Sequence, residues 1–192
     1  MENLDIIISI FLGIGLAAAV GFRVFLPLLV LSLAGYCEVI PLNESWQWMG
    51  SLTAMITMGV ATVVEIFGYY IPWLDNLLDT IALPLSTLAG TAVMVATIAD
   101  LSPVVTWSLA IIAGGGTAAL IKGNASAARL TSTATTAGTA NPILATVETA
   151  IAVVMAFASI FIPILAFVLV VFLFFVIFRF YKKLRKKRLP PT

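Results

Sequence analysis

Two glutamates interrupt long apolar stretches of this chain, in Ala61-Thr-Val-Val-Glu65 and in Ala145-Thr-Val-Glu148. A carboxylate inside hydrocarbon is expensive and is kept mostly where it pairs, lines water or carries protons. Both stand at similar depths in their segments. If those helices face one another, two like charges in a dry setting would have to share a proton or a cation, which gives a relay. The bland alternative is a pair of protonated or hydroxyl-bonded side chains that only fasten helices together.

Asp75 and Asp79 are four apart, on one face if helical, in Pro72-Trp-Leu-Asp-Asn-Leu-Leu-Asp-Thr80. They read either as a cation or proton entry beside Glu65 or as caps for a helix beginning near Ile81. Three bases lie apart from the C-terminus: Arg23, Lys122 and Arg129. Lys122 and Arg129 sit in a stretch of Gly, Ala, Ser, Thr and Asn running to Pro142, which is either a flexible cytoplasmic linker or a re-entrant segment offering cations to an anionic group. Arg23 either snorkels at a membrane boundary or, if the first segment folds back, becomes a buried anion contact. With one cysteine, Cys37, and no histidine, there is no basis for a disulfide, a His-based metal site or a Ser/His dyad. No catalytic residues, metal or cofactor are expected, and the chain does not read as an enzyme.

The elements that position these residues are membrane helices. Of 192 residues 61% are apolar and 10% charged, and mean hydropathy is +1.13, where soluble domains run at roughly 25% charged. A water-soluble globule is excluded. Apolar stretches cover about residues 4–35, 46–71, 81–99, 103–121 and 143–178. At ~1.5 Å per residue the first would extend about 48 Å and the last about 54 Å, against a hydrocarbon core of ~30 Å. Each must tilt strongly, break or fold back; the expected break in the first lies between Gly21 and Pro27, and Pro163 divides the last. This predicts an all-α polytopic helical bundle of about six transmembrane helices, its first segment broken or re-entrant. The echo between the Glu65 and Glu148 segments admits a 3+3 inverted repeat.

Seven of the ten basic residues fall between Arg179 and Arg188, while residues 1–178 hold three bases against nine acids. Basic residues stay cytoplasmic. Residues 1–180 thus form one integral membrane domain and 181–192 a basic cytoplasmic tail attracted to anionic lipid. Six crossings put both termini and the Lys122–Arg129 loop inside, with the 36–45 and 100–103 loops outside. Nucleic acid is not an expected partner, and homo-oligomers are allowed.

Gly21-Phe-Arg-Val-Phe-Leu-Pro-Leu-Leu29, the Glu65–Asp79 stretch, Lys122–Arg129 with the following Thr-Ser-Thr, Asn141-Pro142 and Glu148 resemble the bacterial inner-membrane family known as domain of unknown function 4126, over nearly the whole chain. Thr149 stands where the family pattern suggests an acid. The Gly-x-Arg-x-Phe-x-Pro stretch alone is similar to the DedA lipid-transporter family, which implies an anionic headgroup for Arg23. The expected function is a proton- or ion-coupled secondary transporter of a small solute or ion in a bacterial inner membrane. Glu65, Glu148, Asp75 and Asp79 are its coupling residues. The alternatives are a lipid-phosphate flippase and a non-transporting scaffold or assembly subunit.

Overall fold

The computed structural model describes residues 2–99 and 101–188. Among these there are no strands, and the helices run α1 (Glu2–Phe22), α2 (Phe25–Tyr36), a 3-10 turn (Glu44–Gly50), α3 (Leu52–Gly68), α4 (Pro72–Thr97), α5 (Pro103–Leu109), α6 (Gly116–Thr136), α7 (Asn141–Phe161) and α8 (Pro163–Arg188). A π-helical segment, Ala110–Gly115, joins α5 to α6. Proline opens α4, α5, α7 and α8, where a missing N–H costs nothing.

Helix α1 is the axis of the bundle, and Leu16 through Val20 are wholly buried. A helix apolar all round suits such a buried place or a membrane span. It ends where the sequence predicts. Pro27 has no N–H to bond back to residue 23 and fits without cost in the first turn of a new helix, and the chain breaks at Arg23-Val24.

Past the break α2 turns back along α1. Its start lies at Glu65, whereas its last residues pack with Leu42 and Gly50, and the Asn43 amide donates to Ala96 O at 2.9 Å. That end of the bundle is also where α1 begins, since the Ala99 amide donates to Ser9 Oγ at 3.0 Å. Helix α3 then returns to the Arg23 end, α4 runs back, the α5–α6 rod crosses again, and α7 and α8 follow as an antiparallel pair with a groove between them lined by Ile151, Met155, Leu169 and Leu173.

On this frame residues 37–43 lie at one end of the bundle and residues 69–71 and 137–140 at the other, whereas Lys122–Arg129, expected as an inside loop, lies within helix α6. The N-terminus is a correction. Because the first segment makes a pass and a return, the described start of α1 and the described end of α8 lie at opposite ends of the bundle. Six spans are not reproduced either. Four helices, Asn3–Phe22, Leu77–Thr97, Pro103–Thr136 and Asn141–Phe161, are long and apolar enough to cross, and the 3-10 turn with α3, bent by 64°, makes a fifth. Helix α2 and the apolar Pro163–Arg179 part of α8 are shorter. Residues 189–192 of the expected tail lie outside the described residues.

A second correction concerns residues 122–136, which are neither linker nor re-entrant loop. They continue a helical rod from Pro103 to Thr136, 34 residues or about 51 Å long. Small residues make it possible by letting backbones touch: a Cβ on Gly90 of α4 would stand 2.8 Å from Gly114 O, and one on Gly114 2.5 Å from Gly90 O. The rod stops at Ala137 (φ 51°) and Gly138 (φ 82°), a left-handed pair that favours glycine and reverses the chain into α7.

Candidate functional site: a buried ionic cluster

The ionisable residues singled out by the sequence, scattered over 126 positions from Arg23 to Glu148, meet at the end of the bundle where α3 stops, α4 and α7 begin and α6 finishes. Tyr69, in the non-helical link between α3 and α4, is the hub. The Arg23 guanidinium carbon lies 4.1 Å from its ring centre, that of Arg129 4.3 Å, and Lys122 Nζ 5.1 Å. Lys122 Nζ also donates to the Tyr69 hydroxyl at 3.0 Å. Burial first, then the charges of Asp79 and Glu65, hold the Tyr69 phenol well above its ordinary range, so the ring stays a neutral acceptor for cations.

Arg129 is buried and fully engaged. Its Nε donates to Glu148 Oε1 at 3.1 Å and its Nη2 to Glu148 Oε2, a two-point fork, while Nη1 donates to Asp75 Oδ1. Asp79 Oδ2 lies 4.0 Å from Nε. Lys122 Nζ is 3.3 Å from Asp79 Oδ1, close enough for charge attraction, yet that oxygen has no hydrogen-bond partner. Asp75 Oδ2 accepts from Asn141 Nδ2 at 3.1 Å.

Arg23 is wholly buried rather than snorkelling. It donates from Nη2 to Ala145 O at 2.7 Å and from Nε to Thr149 Oγ1 at 2.9 Å, which leaves Nη1 without a partner. Thr149, where an acid was expected, instead gives Arg23 a neutral acceptor.

Glu65 and Glu148 reach the same cluster with different partners, and both are electrostatic neighbours of Arg23. No hydrogen bond joins them among the described residues. Glu65 accepts from the amides of Val24 at 2.7 Å and Phe25 at 3.0 Å. Helix α2 has no cap of its own at Val24, so a side chain 41 residues away satisfies its free N–H groups. A carboxylate also complements the positive end of that helix.

Two neutral members of the site carry no charge signal in the sequence. Tyr69 follows Glu65 by four residues, which places both on one helix face. Asn141 precedes Pro142 and heads α7. Both line a pocket of about 280 Å³ that leads from the α6–α7 turn to Asp75. A larger apolar groove of about 570 Å³, running from Phe25 along α3 to Leu78, has Glu65 as its sole charged wall residue.

Taken together, Arg23, Lys122 and Arg129 face Glu65, Asp75, Asp79 and Glu148. Three cations against four carboxylates leave one net negative charge when all are ionised. Burying so many charges is favourable only with close pairing.

The profile of a family described as a domain of unknown function (DUF4126) matches residues 10–183. No curated protein and no solved structure matches the chain. The DedA likeness therefore rests on its one short motif. Every segment that carried the first resemblance contributes a side chain to the ionic cluster.

Proposed function

This chain belongs to the DUF4126 family, and from that premise, which assigns no activity, we propose that it is a secondary transporter coupled to a proton or monovalent cation, in a bacterial inner membrane. The observation that carries the reading is the surplus carboxylate in a buried cluster reached from one end of the bundle by a pocket. A cluster built only to fasten helices would be expected to balance its charges, since an unmatched one is costly.

Asp79 is the point where the ion binds. Its side chain is 20% exposed, the most open of the four carboxylates, and its Oδ1 lacks a hydrogen-bond partner. Arg129 touches Asp75, Glu148 and the outskirts of Asp79, so a proton or cation arriving at Asp79 alters the field on the other two. The basic tail sits at the same end of the bundle as the cluster, while Asp5, Glu38 and Glu44 lie exposed near the other. By the positive-inside bias the cluster then faces the cytoplasm. The flippase alternative is weaker, because the one charge on the lipid-facing groove is Glu65, which repels a lipid phosphate.

The test is charge movement on a solid-supported membrane carrying the purified full chain. Jumps of pH, or of sodium or potassium, should evoke a transient current that Asp79→Asn removes. A chain silent to every such jump would end the transport reading in favour of a scaffold.

A further inference from the structure

We propose that the pocket over Asp75 and Asn141 is the substrate site, and that its ligand is a small organic ammonium ion bearing N–H donors. The proposal rests on the transport reading above and supplies its substrate class.

The pocket wall has one charged side chain, the Asp75 carboxylate, and no lysine or arginine, so an anion is not favoured there. Asp75 accepts from Arg129 at one oxygen and from Asn141 at the other. A carboxylate offers about four lone-pair sites, so Asp75 keeps acceptor capacity.

The second observation is independent of charge. Asn141 stands in the pocket wall and is more than nine-tenths buried, and its Oδ1 meets no donor among the described residues. Its orientation is forced: Nδ2 donates to Asp75 Oδ2 and to Thr133 Oγ1, each at 3.1 Å, and a flipped amide would set oxygen against carboxylate. An orphaned buried acceptor is unfavourable, and an N–H donor from a ligand removes that penalty.

Size separates an amine from a bare metal ion. At ~30 Å³ per water, 280 Å³ is far more than one desolvated alkali ion fills. Tyr69, Tyr70 and Pro142 stand in the pocket wall and supply apolar surface for an alkyl chain. Arg129 links this site to Asp79, so amine and coupling ion would sense one another through a single guanidinium.

The experiment is binding of tritiated butylammonium to the detergent-solubilised full chain by scintillation proximity at neutral pH. Saturable binding should be displaced by ammonium and guanidinium, and not by sodium, potassium or tetramethylammonium. Asn141→Leu should weaken it about tenfold, by loss of the acceptor. Thr139→Trp, on the exposed turn and outside the ion pairs, should block the pocket and abolish binding while the protein stays monodisperse with an unchanged melting temperature. No saturable binding to the wild-type chain, equal displacement by tetramethylammonium or sodium, or full binding by Thr139→Trp would overturn the proposal. Ion-jump currents without amine binding would overturn this site and leave the transport reading standing. Amine binding without currents would do the reverse.

Discussion

Arg129 grips Glu148 with both prongs of its guanidinium, through Nε and Nη2, across the turn that separates α6 from α7. Such forks are among the stronger side-chain pairs, and here both members are buried. Removing either alone strands a charge in a dry site. Arg129→Ala and Glu148→Ala should each lower stability by about 3–5 kcal/mol. The double variant Arg129→Leu with Glu148→Leu should lose clearly less than the two singles combined. A double-mutant cycle on thermal melts in detergent measures the difference, and strict additivity would show that the fork contributes nothing of its own. Glu148→Gln, which cannot complete the fork, should also be destabilised, so it is a poor probe of proton coupling.

Glu65 does its work on the backbone. As glutamine it keeps one acceptor oxygen and turns an NH2 toward the amides it formerly served. Glu65→Gln should therefore cost about 1–3 kcal/mol, the penalty of one orphaned amide, with the loss localised to the start of α2. Hydrogen exchange of Val24 and Phe25 reads this directly: exchange should quicken about tenfold for each ~1.4 kcal/mol of local opening. Protection equal to wild type would mean that Glu65 does not cap α2.

Tyr69 separates two contributions that one deletion would merge. Tyr69→Phe keeps the ring under Arg23 and Arg129 and loses the hydroxyl that accepts from Lys122, for a cost of about 1 kcal/mol. Tyr69→Leu removes the ring as well and should cost at least a further ~2 kcal/mol, since desolvated cation–π contacts are the strong ones. Similar melting temperatures for the two variants would show that the ring is only a spacer.

What could be read from the sequence followed cost. A charge deep in an apolar run is expensive enough to be informative without neighbours, and Arg23, Glu65 and Glu148 fall in one cluster with Asp75, Asp79, Lys122 and Arg129. The break before Pro27 was legible for a similar reason, because a proline past the first turn costs a helix about 3 kcal/mol or more and commonly kinks or ends it. Residues 122–136 misled because Ala, Ser, Thr and Gly have little hydropathy of their own. Their helix is held by what Lys122 and Arg129 bury against, which is tertiary information. Tyr69 and Asn141 went unmarked because a neutral side chain pays no visible penalty. The return of α2 was hidden too: twelve apolar residues suit a re-entrant arm or a continued crossing equally well, and only Glu65, far along the chain, decides between them.

The direction of α2 carries the last prediction. If α1 and α2 were one continuous crossing, the chain would start and finish on the same side of the membrane. With α2 folded back toward Leu42 and Gly50, the N-terminus joins Cys37 on one side and the basic end of α8 lies on the other. Cys37 is exposed and reduced, so it serves as a native reporter. In intact cells an impermeant maleimide should label Cys37, and in a Cys37→Ser background it should label Asn3→Cys but not Lys183→Cys. Inverted vesicles should give the opposite pattern. Asn3→Cys and Lys183→Cys labelled together from either side would place both ends on one face, and the fold-back of α2, with the Glu65 clamp that depends on it, would have to be abandoned.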